Sequence, residues 1–311
     1  MLFRSLSDIN EDTFGFKYCP LLNALGRIEG SPDDAIELFL TNDIKKMENL
    51  INKIVKVNDY RKELTKQQEL LGLELANEEI KKRGGLPEAL VLTHKDFHEG
   101  VVGLVAGRIK EKYNRPTVIL TPCEKSILKE NGEINTTIVY KGSARSIAGF
   151  NIKESLDKLS KYLIQYGGHE MAGGLSVKED LLNDFIESLI SLAKNNLNKD
   201  QLKKIIVIDA PLKASEVTVD FIQEIEALRP FGMCFAKPKF GLNDFILDPV
   251  KNNNILCGET KETVRLISCE KLTAVMFKHP ERFLELGINS INPSESEVKI
   301  KAIGVPSLNS F

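Results

Sequence analysis

The amino-acid sequence predicts an α/β domain that is preceded by a long connecting helix and followed by a small β-barrel. Three features support this fold class. Apolar residues recur at helical spacing over residues 43–83. Strand and helix patterns alternate over residues 85–197, which is typical of an α/β domain. Short strand patterns separated by turn residues follow over 205–311, which favours a small barrel or sandwich.

The composition is that of a globular protein without a membrane segment. Of the 311 residues, 42% are hydrophobic and 28% are charged, an ordinary balance for a chain of two or three domains. No apolar run approaches the roughly 20 residues that a membrane helix needs. The N-terminal stretch MLFRSLSDINED is too polar for a signal peptide. We therefore expect a cytoplasmic protein that does not associate with membranes.

Cysteines and charge exclude several classes of protein. The five cysteines are odd in number and no two are spaced as CxxC, so reduced thiols in the core are expected rather than disulfides or a zinc ribbon. The formal net charge is −2, and no large region is strongly basic. A nucleic-acid-binding role would therefore need a local groove rather than a general positive field.

The first 84 residues have helical patterns. Residues 33–41 fit one short helix that begins at a Ser-Pro-Asp sequence. From residue 43 the apolar positions alternate with dense charge, which predicts a long, partly exposed helix with at most one break. Forty residues of helix extend about 60 Å, a length that suits a rod between two lobes. The glycines of KKRGG, residues 81–85, end it.

The α/β region begins with a strand–helix–strand unit. Residues 89–93 predict a buried strand, residues 98–114 a loop that enters a helix, and residues 115–122 a second strand. The later predicted elements are a strand before residue 145, a helix over 151–166 that ends at glycines, a strand over 174–178, an amphipathic helix over 179–197 and a helix over 217–228.

One histidine lies in an unusual run of small residues, YGGHEMAGG. Gly167 and Gly168 precede His169, and one alanine and two glycines follow it closely. Glycine permits positive φ and a close approach of another group, so the imidazole has open space in which to donate hydrogen bonds. A structural or merely exposed histidine is the alternative.

A second candidate is the stretch KGSARSIAGFN, residues 141–151. Ser143, Arg145 and Ser146 lie there in a predicted turn before a helix. Hydroxyls, a guanidinium and the amides of a helix N-terminus together form an anion site. A helix cap with a solvated arginine is the alternative that the sequence leaves open.

A third stretch, THKDFHEGVVGLVAGR, places His98 just before a helix. Gly103 and Gly107 are four residues apart and share a helix face, and close packing is the interpretation that we favour. His94 and His98 have the spacing of a metal pair only on a helix, and they lie in a predicted loop, so no metal site is predicted. The glycines do not match the dinucleotide-binding pattern.

Five segments, in order along the chain, resemble the RecJ family of single-strand-specific exonucleases, a branch of the DHH phosphoesterase superfamily. They are GFKYCPLLNALGRIEG, HEGVVGLVAGRIKEKYNRPTVIL, GSARSIAGFNI, YGGHEMAGGLSV and LRPFGMCFAKPKF. The resemblance implies a DHHA1 domain for the α/β region and an OB fold for the C-terminal barrel. The chain departs from the family at Leu22, where arginine is common, and at Phe97, where tryptophan is common.

The Asp-His-His motif that names the superfamily is absent, and the first histidine of the chain is His94. Family nucleases hold Mn²⁺ or Mg²⁺ with DHH-domain ligands, so the resemblance implies no catalytic residue and no tight metal site in this chain. We expect the C-terminal part of a RecJ protein, cut within its DHH domain. The expected domains are the end of the DHH domain at 1–42, the connecting helix at 43–84, the DHHA1 domain at 85–200 and the OB-like domain at 205–311.

The resemblance also implies a substrate-binding set whose members would face the nucleic-acid backbone. The set comprises Asn23, Arg27, His98, Ser143, Arg145, Ser146, Gly167, Gly168 and His169. His169 would contact a phosphate near the scissile bond. Arg145 with the two serines would bind a neighbouring phosphate. His98 would line the same cleft, and Asn23 and Arg27 would lie at the junction of two lobes.

Two functions remain open. The first is the substrate-binding C-terminal portion of a metal-dependent 5′→3′ single-strand DNA exonuclease of DNA repair and recombination. Its partners would be single-stranded DNA and a DHH domain in cis or in trans. The alternative is a non-catalytic module that binds single-stranded nucleic acid or belongs to a replication complex. In both, the OB-like domain would offer stacking aromatics, with Phe231, Phe235, Phe240, Phe245 and Phe277 as candidates.

Overall fold

The chain folds into two compact units, Met1–Lys204 and Ile205–Phe311. The structure is a computed structural model that describes residues 9–128, 134–248, 251–252, 256–257, 263–270, 272–277 and 298–308. Within these ranges, no helix combines the length and the apolar character that crossing a membrane requires.

The first unit contains seven α-helices among its described residues. They are α1 (Glu11–Thr13), α2 (Cys19–Ile28), α3 (Asp33–Leu40), α4 (Ile44–Arg83), α5 (Val102–Tyr113), α6 (Ile152–Lys158) and α7 (Leu182–Asn196). A π-helical turn at Phe14–Tyr18 joins α1 to α2, and short 3₁₀ turns at Ser160–Tyr162 and Glu179–Leu181 precede later elements.

Helix α4 confirms the predicted long helix and is unbroken over 40 residues. Asp43 caps its start, because its carboxylate accepts hydrogen bonds from the amides of Lys45 and Lys46 at 2.9 and 3.2 Å. Gly84 ends it in the left-handed conformation with φ of 70°, as glycine commonly does after a helix.

Five strands of the first unit form one mixed sheet. They are β1 (Leu90–Thr93), β2 (Thr117–Leu128), β3 (Ile134–Arg145), β4 (Leu163–His169) and β5 (Ala172–Lys178). Their order in the sheet is β1-β2-β3-β5-β4. Strand β1 pairs with β2 in parallel, with α5 between them in the chain, so the predicted strand–helix–strand unit is confirmed. The remaining pairs are antiparallel.

Helices cover both faces of this sheet. On one face, Val118, Leu120 and Leu175 pack in a cluster with residues of α6 and α7. On the other face, Leu90 and Ile119 pack with residues of α4 and α5. The sheet is thus the middle layer of the unit.

The predicted helix over 151–166 is wrong in its second half. Helix α6 ends at Lys158, and residues 163–166 begin strand β4. Leu163 and Tyr166 both pack on the same hydrophobic cluster as α6, because the irregular register between Leu163 and Gln165 brings these two residues to the same face. Gly167 and Gly168 therefore lie inside a strand and do not end a helix.

The second unit contains one α-helix and six strands among its described residues. They are β6 (Ala210–Leu212), α8 (Val219–Glu226), β7 (Phe240–Ile246), β8 (Leu256–Cys257), β9 (Thr263–Ile267), β10 (Thr273–Phe277) and β11 (Lys299–Gly304). The strands form two three-stranded sheets, β11-β7-β6 and β10-β9-β8.

The second unit differs from the predicted barrel. Its two described sheets do not close on one another by strand pairing, although Leu247 and Ser268 form an isolated bridge. Phe245, Leu247 and Val264 lie in the hydrophobic cluster of this unit. The unit thus has the expected core of short strands without a closed barrel in the described residues.

The cysteine prediction is half correct. All five thiols are free, but none of them is buried. Three are exposed and two are partly exposed, so cysteine does not serve as a core residue here. The exposed thiols are Cys19, Cys234 and Cys269, and the partly exposed thiols are Cys123 and Cys257.

An arginine joins the C-terminal end of α4 to α7. The Arg83 guanidinium contacts both carboxylate oxygens of Glu187, one of them at 3.1 Å, and it also contacts Glu79. The hydrogen bond from Arg83 is the main cause that lowers the pKa of Glu187 below its usual value. The charged form of Glu187 is therefore favoured in the folded state.

We predict that Glu187→Gln lowers the free energy of unfolding at pH 7 by about 0.5 kcal/mol, because the pair is partly exposed. A lowered carboxylate pKa stabilises the fold above the unfolded value of about 4.3 and loses this effect as pH falls further. Urea unfolding from pH 7 to pH 3 checks this. The control is Glu48→Gln, since Glu48 has no ion pair among the described residues. A difference between wild type and Glu187→Gln that persists at pH 3 contradicts the prediction.

Candidate nucleic-acid interface

Three neighbouring strands bring four of the predicted site residues, Ser143, Arg145, Gly167 and His169, onto one face of the first sheet. Arg145 of β3, Ala172 of β5 and His169 of β4 lie on one rung, because Arg145 pairs with Ala172 and His169 pairs with the same alanine. Residues that are directly opposite in paired strands project to the same face. Arg145 and His169 therefore flank the small side chain of Ala172.

A second rung of this face has almost no side chains. Ser143 pairs with Gly174, which pairs with Gly167. A Cβ added at Gly167 would meet no atom within 4 Å, so the space above this glycine is open. The backbone of β5 and β4 is therefore accessible between the arginine and the histidine.

Gly168 is required by its backbone conformation. Its φ is +146°, a value that side chains rarely permit, and an added Cβ would lie 2.3 Å from the carbonyl oxygen of Ala172. It belongs to the intervening rung, with Gly173 and Ala144, which faces the buried cluster. His169 follows as the last residue of β4 and is exposed. The two glycines thus have different roles, one conformational and one that leaves space.

The Arg145 side chain is held by its own strand. Its Nη1 donates to Ser143 Oγ at 2.7 Å and to the Ala144 carbonyl at 2.8 Å. Ser143 Oγ donates in turn to the Gly173 carbonyl at 3.2 Å. Burial, followed by the nearby charge of Arg27, lowers the pKa of Arg145. A partly desolvated cation that is already oriented is a strong anion ligand.

Helix α5 lies directly against this arginine. A Cβ added at Gly103 would stand 2.7 Å from Arg145 Nη2 and 3.2 Å from Ser143 Oγ. An added Cβ at Gly107, one turn later, would meet nothing within 4 Å. The predicted packing role therefore applies to Gly103, which packs against the side chains of Arg145 and Ser143.

Arg27 and His98 meet at Gly100. Arg27 Nη1 donates to the Gly100 carbonyl at 3.2 Å, and the Gly100 amide donates to His98 Nδ1 at 3.1 Å. An added Cβ at Gly100 would lie 1.7 Å from the carbonyl oxygen of Arg27, so only glycine fits. With Nδ1 as an acceptor, a neutral His98 ring carries its proton on Nε2. Asn23 is exposed one helical turn before Arg27.

Arg61 on α4 is a further cation near the site that the sequence motifs did not include. Burial, followed by the charges of Arg27 and Arg108, lowers the pKa of Arg61. Its Nε and Nη2 donate to Asn58 Oδ1 at 3.2 and 3.0 Å. Within the described residues, no carboxylate forms an ion pair with Arg27, Arg61 or Arg145, whereas Arg108 contacts Glu69. The cluster therefore has unneutralised positive charge.

Helix α4 also positions the loop around His98, through the side chain of Gln68. Gln68 Nε2 donates to the Asp96 carbonyl at 2.8 Å, and Gln68 Oε1 accepts from the His98 amide at 3.0 Å. Asn58, Thr65 and Gln68 are each at least 95% buried on this helix. Buried polar residues at helical spacing were the feature of the sequence that could have indicated the site.

Ser146 does not reach the open face. It is 1% exposed, and its hydroxyl donates to the Phe150 carbonyl at 2.5 Å. The prediction that Ser143 and Arg145 lie in a turn before a helix is also wrong, because both residues lie in strand β3. Helix α6 starts later and is capped by Asn151, which accepts from the Glu154 amide at 3.2 Å. The anion-binding groups of this stretch are therefore side chains of a strand, without a helix N-terminus.

A carboxylate lies beside the site. Glu99 contacts Lys141 at 2.6 Å and accepts from the Cys123 thiol at 2.8 Å. Burial, and then the bond to Glu99, raises the pKa of Cys123 to about 11, so the thiol stays protonated. No group of three or more His, Cys, Asp or Glu side chains in the described ranges has an arrangement that could hold a metal ion.

The aromatic candidates of the second unit fall into three groups. Phe245 is 2% exposed and belongs to the core, so it is not a stacking residue. Phe240 is half-buried against Phe221. Phe235 and Phe277 are 52% and 67% exposed. The fifth candidate, Phe231, is half-buried and stacks on the exposed ring of Phe235.

Comparison with protein families gives two adjoining matches. Residues 87–195 match the DHHA1 domain, and residues 208–311 match the RecJ OB domain. The chain is 32% identical over 260 residues to the single-stranded-DNA-specific exonuclease RecJ of Bacillus subtilis, which covers 84% of this chain and 31% of that protein. It is 31% identical over 241 residues to the enzyme of the same name from Escherichia coli, covering 76% of this chain and 40% of that protein.

The fold is also similar to a solved structure. The crystal structure of RecJ from Thermus thermophilus in complex with Mn²⁺ matches with a TM-score of 0.73 and 22% identity, covering 97% of this chain and 39% of that one. The Mg²⁺ complex from the same organism matches with a TM-score of 0.72. The chain spans between about a third and two fifths of the length of these relatives.

We predict that Gly103→Ala displaces the Arg145 guanidinium and lowers the affinity for a 5′-phosphorylated oligothymidylate about threefold or more, through a weakened charge-assisted bond. Stability should hold or rise, because alanine is favoured over glycine in a helix by about 1 kcal/mol. Fluorescence anisotropy and thermal unfolding measure the two effects. Gly107→Ala is the matched control on the same helix and should bind as wild type does. Equal affinity of the two variants contradicts the assignment.

Proposed function

The chain belongs to the RecJ family, and from that membership we propose that it is the substrate-binding C-terminal portion of a single-stranded-DNA-specific exonuclease. Two adjoining domain matches and the relatives that align with most of the chain support this proposal. The activity of those relatives is that of proteins more than twice as long. The proposal for this chain therefore concerns how it holds the strand.

The open face of β3, β5 and β4 carries the proposal. Arg145 and His169 stand on one rung two strands apart, which places their backbones about 10 Å from each other at the usual strand spacing. Between them lie only Ala172 and, on the next rung, Gly174 and Gly167. A sugar-phosphate chain can approach this glycine stripe closely, with a cationic donor at one side and an imidazole at the other.

The arginine cluster extends the site toward α2 and α4. Arg27 and Arg61 add guanidinium groups that no described carboxylate neutralises, and the charge of Arg27 acts on both Arg61 and Arg145. Bound phosphates would reduce the repulsion between these guanidinium groups, because each phosphate carries a negative charge. His98 is linked to Arg27 through Gly100, whose carbonyl accepts from Arg27 and whose amide donates to His98. We assign these residues to neighbouring phosphates of the strand.

We further propose that a DHH domain, in cis or in trans, supplies the ligands for Mn²⁺ or Mg²⁺. The described residues offer no cluster that fits such an ion, so this chain is assigned to binding alone. Large apolar side chains on the first helices are exposed and suit contact with another domain. They include Phe16 at 81%, Phe39 at 74%, Leu40 at 76% and Ile44 at 71%.

The finer parts of the proposal follow the family. Degradation in the 5′→3′ direction, a role in DNA repair and recombination, and a cytoplasmic location are proposed on this basis. The non-catalytic alternative, a module that binds single strands without cleavage, shares the same face. An immunoblot of the source cell tests the cis arrangement, because a DHH domain in the same chain requires a band larger than 34.8 kDa. A band at 34.8 kDa excludes the cis arrangement and leaves a DHH domain in trans or the non-catalytic module.

We predict that Arg145→Ala lowers the affinity for a 5′-phosphorylated oligothymidylate about tenfold or more, and His169→Ala about fivefold, since hydrogen bonds to charged groups contribute about 1.5–3 kcal/mol and others about 1 kcal/mol. Fluorescence anisotropy at fixed salt measures both. Met171→Ala, in the turn next to His169, is the control and should leave affinity unchanged. A large fall in the melting temperature of His169→Ala would instead make that residue structural, and unchanged affinity would remove it from the site.

We predict that the purified chain, incubated with Mn²⁺ and a labelled single-stranded oligonucleotide, does not shorten the strand. The physical reason is that hydrolysis by two metal ions needs a ligand set that holds them against the phosphate. Denaturing gel electrophoresis over a range of protein concentrations measures this. Shortening that scales with the amount of pure chain contradicts the division of roles.

A further inference from the structure

The second unit presents a tight hairpin between α8 and β7. Gly232 and Phe235 exchange backbone hydrogen bonds at 2.9 and 3.2 Å, which closes a turn of two residues. Cys234, the third residue of this turn, has φ of +67°, the value that this position takes in a type II turn. Met233 at the tip is 96% exposed. The hairpin therefore holds its flanking side chains in fixed positions.

Two aromatic rings stack across this hairpin. The rings of Phe231 and Phe235 have centroids 5.7 Å apart and planes inclined by 27°. The Arg229 guanidinium lies 5.7 Å and the Lys237 ammonium 6.0 Å from the Phe231 centroid. Both cations also contact the Glu226 carboxylate, which fixes them beside the ring.

This pair of rings is not part of the hydrophobic core. The core of the second unit forms around Phe245, Leu247 and Val264. Phe235 is 52% exposed although it stacks on its neighbour. An exposed aromatic face held in place by a second ring is the arrangement on which bases of a single strand stack.

We propose that the hairpin formed by residues 231–237 is a base-stacking platform for single-stranded DNA, with Phe235 as the ring that receives the base. This inference rests on the proposed function, since it names where the second unit would contact the same strand. Phe231 supports Phe235 from behind, and Arg229 and Lys237, both paired with Glu226, hold Phe231 in place. Binding at the platform would not depend on the base sequence, because every base has a face that can stack on an aromatic ring.

The test uses the whole chain and a fluorescein-labelled, 5′-phosphorylated strand of 20 thymidylates. We expect Phe235→Ala to weaken binding about fivefold, within the range for loss of one base–aromatic stack. Phe235→Trp, which keeps a stacking surface, should bind as wild type does. Val219→Ala on α8, which loses an apolar side chain that is 56% exposed, is the control. Phe235→Leu replaces the alanine variant if thermal unfolding shows that alanine disturbs the fold, since leucine preserves apolar volume.

A strand of abasic sites with the same phosphates separates stacking from charge. If Phe235 receives a base, wild type and Phe235→Ala bind the abasic strand equally. The platform is overturned if Phe235→Ala binds thymidylates as wild type does, if the defect persists on the abasic strand, or if only Phe277→Ala shows it. Should Arg145→Ala weaken binding while Phe235→Ala does not, the platform fails and the proposed function stands. Absence of strand binding by wild type overturns both.

Discussion

The register among β3, β5 and β4 is the constraint on which the candidate interface depends. Side chains alternate between faces along a strand, so a shift of one residue would turn Arg145 and His169 toward the buried cluster. Gly168 constrains the pairing of β4 with β5, and Gly142 constrains the adjoining pairing of β2 with β3. An added Cβ at Gly142 would lie 1.8 Å from the Ile119 carbonyl oxygen, and one at Gly168 would meet the Ala172 carbonyl. These strand pairs can therefore approach only where the two residues have no side chain, and Gly167 and Gly174 on the neighbouring rung leave an open stripe of backbone.

The arginine cluster has an electrostatic cost that packing alone does not explain. Burial, followed by the nearby charge of Arg27, lowers the pKa values of both Arg61 and Arg145. Structural arginines commonly pair with carboxylates, as Arg83 does with Glu187. A group of cations without such partners is characteristic of sites that receive an anion. The fold thus retains a repulsion that a bound phosphate would relieve.

Local patterns predicted the helices better than the sheet. The spacing of apolar residues over 43–83 indicated α4 correctly, because a helix of that length depends on local periodicity. The same apolar spacing misled at 163–166, where Tyr162 and Tyr166 contact one cluster from a turn and a strand. Nothing local indicates that Arg145 and His169 share a rung, since two antiparallel pairings with β5 bring them together. Arg61 was missed because its neighbours on α4 resembled an exposed, charged helix.

Helix α4 is more than a spacer between lobes. Leu50 and Ile54 are buried near its start and Ala76 near its end, whereas the buried residues between them are Asn58, Thr65, Gln68 and Gly72. Apolar side chains in these middle positions would have stabilised a simple rod at lower cost, because a buried amide requires hydrogen-bond partners. Gln68 has those partners in the Asp96 carbonyl and the His98 amide. The polar middle of α4 therefore fixes the loop that contains His98 and Gly100, and Arg27 donates a hydrogen bond to this loop. The helix thus supports the interface.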